Sequence, residues 1–268
     1  MITRTEKTRK FVKAIWHRLA VRDVRSTPVF ILGEMRSGTN MLTDCLDRCW
    51  RTATYNESDD DAFVGYALRD DETVMQLVQK SRANFVVFKS LADLARAREL
   101  LRLFPDAKVV WIFRNYQDVV NSAMRKWTEH NKYLSYILND PERAGWRAKN
   151  LPKSLIEKIR LHYERGISDT SARALIWYVR NSMFFEQSLD SAPNVCLVRY
   201  EDLAQSPDQE FDRIFQFLNL PLSRAYYSRV STRSIRRDKS PEVDGEIARL
   251  CEDLLDRMKN EIPANKIT

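Results

Sequence analysis

The feature that most constrains this chain is the run Gly33-Glu34-Met35-Arg36-Ser37-Gly38-Thr39-Asn40. Ahead of it stands the apolar run Val29-Phe30-Ile31-Leu32, and behind it Met41, Leu42, Cys45, Leu46 and Cys49 share one helical face. Strand, tight loop, helix is the setting in which backbone N–H groups and a helix N-terminus cradle phosphate. Gly33 and Gly38 frame four residues, as in the phosphate loop of nucleotide triphosphatases. The second half departs from that pattern. A triphosphatase needs Lys followed by Ser or Thr, and this chain has Thr39 and Asn40. The phosphate lysine and the Mg²⁺-holding hydroxyl are therefore both missing from their usual places. A cation returns inside the loop at Arg36. The loop suits a phosphate-like anion, not a magnesium triphosphate. Gly-rich turns also join strands to helices where nothing binds, so the rest of the chain must decide.

Strand and helix patterns alternate along the chain. Strand 28–32 leads to helix 38–50, and a short strand at 52–55 ends at Asn56-Glu57. Strand 85–88 ends at Lys89 and leads to a helix through 91–103. Strand 108–113 ends at Arg114 and leads to helix 116–127, and strand 194–199 ends at Arg199-Tyr200-Glu201-Asp202. Apolar runs separated by helices predict an α/β fold with a central parallel sheet covered on both faces. Ser206-Pro207 opens a later helix, with Gln209 at a capping-box spacing, and Ser240-Pro241 opens the last. Between 128 and 193 the strand pattern stops, which predicts a helical insertion over the ligand edge, with helices at 153–165 and 169–190. Residues 223–240 read as a basic loop. The expected organisation is an N-terminal extension over 1–27 and one domain over 28–268.

Ligands of open parallel sheets bind beyond the carboxyl ends of the strands. The Gly33–Asn40 loop, Glu57, Lys89 and Arg114 each follow a different strand, so the fold would gather them on one rim. A magnesium site wants a carboxylate at the end of strand 108–113. Arg114 stands there instead, and a guanidinium can hold a bare phosphate bidentately. Glu201-Asp202 is the other place from which an acid could come.

With these residues in view, the chain resembles the sulfotransferases that use 3′-phosphoadenosine-5′-phosphosulfate (PAPS), on the glycan and bacterial side of that superfamily. Its loop Arg36-Ser37-Gly38-Thr39 is similar to the family's 5′-phosphosulfate loop. Arg114-Asn115-Tyr116-Gln117-Asp118-Val119-Val120-Asn121-Ser122 is similar to its 3′-phosphate motif, with Arg and Ser eight apart (122 − 114). Val198-Arg199-Tyr200-Glu201-Asp202-Leu203, then Ser206-Pro207 and Phe215-Gln216-Phe217-Leu218, is a third match. The resemblance covers about 28–220 and is weak in the insertion. It implies a P-loop-like enzyme that moves a sulfuryl group from PAPS to an acceptor hydroxyl on a carbohydrate, glycolipid or small molecule, without a metal. It implies cofactor contacts from Arg36, Ser37, Gly38, Thr39, Asn40, Arg114 and Ser122. It also implies Arg233 and Arg236, from a basic loop that closes over the nucleotide; a solvated charge run is the other reading of that loop. The phenol-type members place a His two residues after a Lys. Here Lys89-Ser90-Leu91 lacks it, so the expected base is Glu57, with Lys89 stabilising the transferring group.

A formal net charge of +7 favours anionic partners without choosing among them. No apolar stretch approaches the ~20 residues of a membrane helix, and the N-terminus lacks the apolar core of a signal peptide. Four scattered cysteines and three histidines form no metal spacing, and the cysteines fit a reducing compartment. The expected location is cytoplasmic. Arg4, Lys7, Arg9, Lys10, Lys13, Arg18, Arg22 and Arg25 interleave with Phe11, Val12, Ile15, Trp16 and Leu19. Such a helix lies on the inner membrane surface or packs on its own domain or a partner subunit, and packing is the preferred reading. Two other functions compete: a metal-dependent nucleotide kinase or triphosphatase, opposed by Thr39-Asn40, and a basic nucleic-acid-binding protein, for which no reader motif is present.

Overall fold

A computed structural model describes residues 11–13, 15–17 and 25–262. Five parallel strands form the central sheet: β1 (Thr27–Gly33), β2 (Thr52–Asn56), β5 (Phe85–Lys89), β6 (Lys108–Phe113) and β7 (Val195–Arg199), in the order β2-β5-β1-β6-β7. A two-stranded antiparallel ribbon, β3 (Phe63–Val64) and β4 (Ala67–Leu68), lies between β2 and β5 in the chain. β1 is central because every residue of its apolar run is fully buried. Alternate side chains face opposite layers, as the strand's two-residue period requires. Phe30, Leu32, Phe88 and Trp111 enter one core, and Val29, Ile31, Val87 and Val110 the other. The strands beside β1 continue in opposite directions along the sheet, so a crevice opens at its carboxyl end.

The helices are α1 (Thr39–Asp47), α2 (Asp71–Lys80), α3 (Ala97–Leu103), α4 (Tyr116–Met124), α5 (His130–Asn139), α6 (Pro141–Ala144), α7 (Lys153–Tyr163), α8 (Asp169–Glu186), α9 (Tyr200–Gln205), α10 (Pro207–Leu218), α11 (Arg224–Tyr227) and α12 (Gly245–Asn260). Helices α5 to α8 form the expected insertion. Its long member, α8, buries Trp177 and Phe184 against the sheet and packs on α4, α5 and α12.

Several boundaries differ from the sequence reading, each for a local reason. The helix expected from Ser206 as a capping box has no side-chain cap. Ser206 also ends α9, its N–H donating to the Asp202 carbonyl at 2.8 Å, so its backbone is not free to adopt the capping geometry. The last helix starts at Gly245 rather than after Ser240. Asp244 caps it, its carboxylate accepting from the N–H groups of Glu246 and Ile247, while its own N–H donates to Ser171 Oγ at 2.9 Å. The helix expected from 91 begins with a 3-10 turn at Leu94–Arg96, and the basic loop contains the turn α11.

Most of the N-terminal basic residues lie outside the described ones. Within them, Lys13 does not belong to an exposed basic face. It is buried, donates to the Asp47 carbonyl at 2.7 Å and to Thr52 Oγ1 at 3.0 Å, and pairs with the Asp47 carboxylate. His17 Nε2 is 2.7 Å from the Trp50 carbonyl oxygen, and Trp16 packs edge-on to Trp50. Among the described residues, no helix is long and apolar enough to cross a membrane.

Candidate active site

The loop after β1 turns sharply. Arg36 has φ 71° and Gly38 φ 99°, the first an uncommon conformation for a side-chain-bearing residue. Two contacts hold Arg36 in it. Its Nε donates to Ser122 Oγ at 2.9 Å, and its carbonyl accepts from the Arg114 guanidinium at 3.4 Å. Gly38 is required for a second reason: a Cβ there would sit 2.3 Å from the Tyr200 ring. That ring lies 4.5 Å from the Arg114 guanidinium, and its hydroxyl meets Ser234 Oγ. The glycine thus lets Tyr200, from the third sequence match, reach Arg114, from the second.

Arg114 is buried between elements. It pairs with Asp118 at 3.2 Å, one helical turn ahead, and donates to the Ser234 carbonyl. Trp177 Nε1 donates to the Arg114 carbonyl at 3.0 Å, tying α8 to the end of β6. Asp118 also accepts the Arg236 backbone N–H, at 3.1 and 3.2 Å to its two oxygens. So the basic loop reaches this end of the sheet, but through Ser234 and the backbone of Arg236. Arg233 and Arg236 are themselves exposed.

Arg36 titrates below the ordinary arginine range. Burial is the larger cause, and the neighbouring Arg114, Arg125 and Arg173 add to it. Cations gathered without enough carboxylates make an anion site. Two buried donors here lack a partner among the described residues, Ser37 Oγ and Arg114 Nε. These are atoms that a phosphate would satisfy. The first N–H groups of α1 open toward the same loop, with Gly38 as the helix N-cap.

The other half of the rim is a cavity of about 280 Å³ between this loop and the insertion. Glu57 and Asn40 line it, and Lys89, at the end of β5, pairs with the Glu57 carboxylate and donates to Asn40 Oδ1. The four sequence elements expected on the rim are therefore brought together. Glu201, the other candidate acid, is not free for a metal. It is buried, pairs with Arg199 at 3.2 Å and accepts the Asn115 N–H at 2.9 Å. Among the described residues, no group of three or more His, Cys, Asp or Glu could hold a metal ion.

Two features escaped the sequence reading. Glu34, only 2 % exposed, pairs with Arg173 at 2.7 Å and with Arg180. A signal was present: Arg173, Ile176 and Arg180 fall on one face of a helix whose middle is mostly apolar. His130, at the start of α5, is buried beside the cavity and its Nε2 has no partner among the described residues. Burial and then Arg173 push it below the usual histidine value. Trp127, Tyr133 and Trp146 wall the cavity, whereas Trp177 is sheet core.

The family model described as Sulfotransferase domain matches residues 26–247. The chain belongs to the sulfotransferase family. Among solved structures, this sulfotransferase is similar to one from Alicyclobacillus acidocaldarius, with 20% identity, 90% of this chain and 93% of that one covered, and a TM-score of 0.47. It is also similar to sulfotransferase STF9 from Mycobacterium avium, with 12% identity, coverage of 96% and 82%, and a TM-score of 0.49. A mouse sulfotransferase, SULT7A1 complexed with PAP, gives 16% identity, coverage of 79% and 66%, and a TM-score of 0.43. No curated protein sequence matches the chain. The assignment rests on the family match; the enzyme transfers sulfate.

Proposed function

We propose that the donor is PAPS and that the sulfuryl group passes to an acceptor hydroxyl held in the cavity beside Glu57. The observation that carries this reading is the closeness of Arg36 and Arg114, together with two buried donors, Ser37 Oγ and Arg114 Nε, that have no partner among the described residues. Arg114 and Ser122, with the basic loop that carries Arg233 and Arg236, would hold the 3′-phosphate. Arg36, Ser37, Gly38, Thr39 and Asn40 would hold the 5′-phosphosulfate through the loop and the start of α1. The acceptor oxygen attacks sulfur in line. Its proton passes to Glu57, and the sulfur–oxygen bond to the 5′-phosphate breaks. The electron pair stays on that phosphate, where Arg36 and Lys89 stabilise it. Fixed cations and N–H donors of this kind act by electrostatic preorganisation. Among glycan, glycolipid and small-molecule acceptors, the lining favours those with an apolar part, since Leu134, Ile137, Ile159 and Val179 contribute to it.

Calorimetry with 3′-phosphoadenosine-5′-phosphate (PAP) in the presence of EDTA tests this. Binding is expected without metal. Arg114→Ala should cost about 1.5–3 kcal/mol with this ligand and little with the analogue lacking the 3′-phosphate. A requirement for Mg²⁺, or tighter binding of ATP, would point to the kinase reading.

A further inference from the structure

We propose that the acceptor carries an anionic group on a largely apolar body, and that Arg147 receives that group. This inference rests on the sulfuryl-transfer reading and concerns the acceptor end of the same cavity. The Arg147 guanidinium lies 4.5 Å from the Tyr133 ring and 4.4 Å from the Trp146 ring. Among the described residues, no hydrogen bond or ion pair reaches it, and it lines the cavity. The other arginines of that wall differ. Arg173 and Arg180 share Glu34, and Arg36 is tied to Ser122. Glu57, the remaining carboxylate of the lining, is taken by Lys89. Five cationic side chains line the cavity against two carboxylates.

Arg147 is thus a half-buried cation whose N–H donors have no carboxylate to meet. Burial lowers its proton affinity, yet a guanidinium remains charged, so its desolvation costs free energy that the two rings and the Glu34 charge offset only in part. The two rings hold the plane of the fork in place before any ligand arrives, which reduces what binding must order. A fixed planar fork matches a carboxylate, phosphate, sulfate or sulfonate through paired N–H···O bonds. The aliphatic side chains around it supply the complementary apolar wall. An acceptor built only of neutral sugar would leave Arg147 unpaired.

Two fluorescent probes with the same ring system test the idea: 1-anilinonaphthalene-8-sulfonate and its uncharged counterpart N-phenyl-1-naphthylamine. Each is titrated into the full chain with and without saturating PAP. The wild type should bind the sulfonate about 10-fold or more tightly than the neutral probe, the size of one charge-assisted contact. Arg147→Gln should abolish that preference and leave the neutral probe within about two-fold, showing that the cavity is intact. Arg147→Lys should keep part of it, as a point charge without the fork. The proposal is overturned if both probes weaken together in Arg147→Gln, if the sulfonate is unaffected, or if PAP displaces the sulfonate from the wild type. Failure of PAP to bind, with the Arg147-dependent preference intact, would overturn the sulfuryl-transfer reading and leave the anion subsite standing.

Discussion

The two halves of the rim are built differently. The half proposed for the nucleotide uses strand ends and backbone: the loop after β1, Arg114 after β6, and Ser122 one helix further on. The half proposed for the acceptor uses side chains from an insertion, chiefly α5 and α8, and α8 holds the loop through Glu34. In the first half the sheet fixes where each residue falls. In the second, position follows from how helices pack, and no short motif encodes that. The boundary is Glu34 itself, a loop residue whose carboxylate is held by α8.

Removing that boundary should have the largest effect. Glu34→Ala leaves Arg173 and Arg180 facing one another in a buried place. Breaking one partner of a buried ionic cluster costs about 3–5 kcal/mol. Chemical denaturation should show a loss of that order. A loss below about 1 kcal/mol would mean that the two halves are held together by apolar packing alone.

The five strands of the sheet and the phosphate loop were legible in the sequence because each rests on local patterning, whereas the ribbon β3–β4 and helix α2 were not read. The apolar run 29–32, the eight-residue spacing of Arg114 and Ser122, and the charged residues that follow the strands need no knowledge of packing. The Glu34 cluster spans 139 positions to Arg173. Only the stripe of arginines on α8 hinted at it, and the stripe does not name its partner. His130 gave no signal at all, since burial created its environment. The start of α12 was misplaced for the same reason: Ser171, far away in sequence, fixes the backbone of Asp244.

In the proposed reaction Glu57 links the halves chemically, since it follows β2 yet lines the cavity. Glu57→Gln keeps the shape and removes the proton acceptor. Turnover should fall about 10²-fold or more, with PAP affinity unchanged. The motive is its pairing with Lys89, together with Leu91 where a histidine base would stand in the phenol-type enzymes. Steady-state rates with an identified acceptor give the answer. If turnover survives, the acid-base chemistry belongs to the insertion, and the division of labour described above is wrong.

The smallest effect separates the halves by pH. His130 belongs wholly to the acceptor side. Burial lowers its proton affinity most and Arg173 lowers it further, while Asp169, the Trp127 carbonyl and Glu34 oppose them without prevailing. The folded protein therefore holds this ring neutral below the usual value near 6.5, whereas the unfolded chain takes up its proton at about that value. Between the two, the unfolded state binds more protons, so stability declines as pH falls from about 6.5 through the folded value, and above 6.5 the group contributes no slope. His130→Asn has no proton to exchange in this range. The stability difference between wild type and variant should be constant above about pH 7 and should shift against the wild type on acidification. Urea denaturation at several values between about pH 5 and 8 measures it, and carboxylate titrations common to both proteins cancel in the difference. A difference that stays flat across the whole range would mean that His130 is solvated like a surface histidine, and that the acceptor half is wetter and looser than its packing implies.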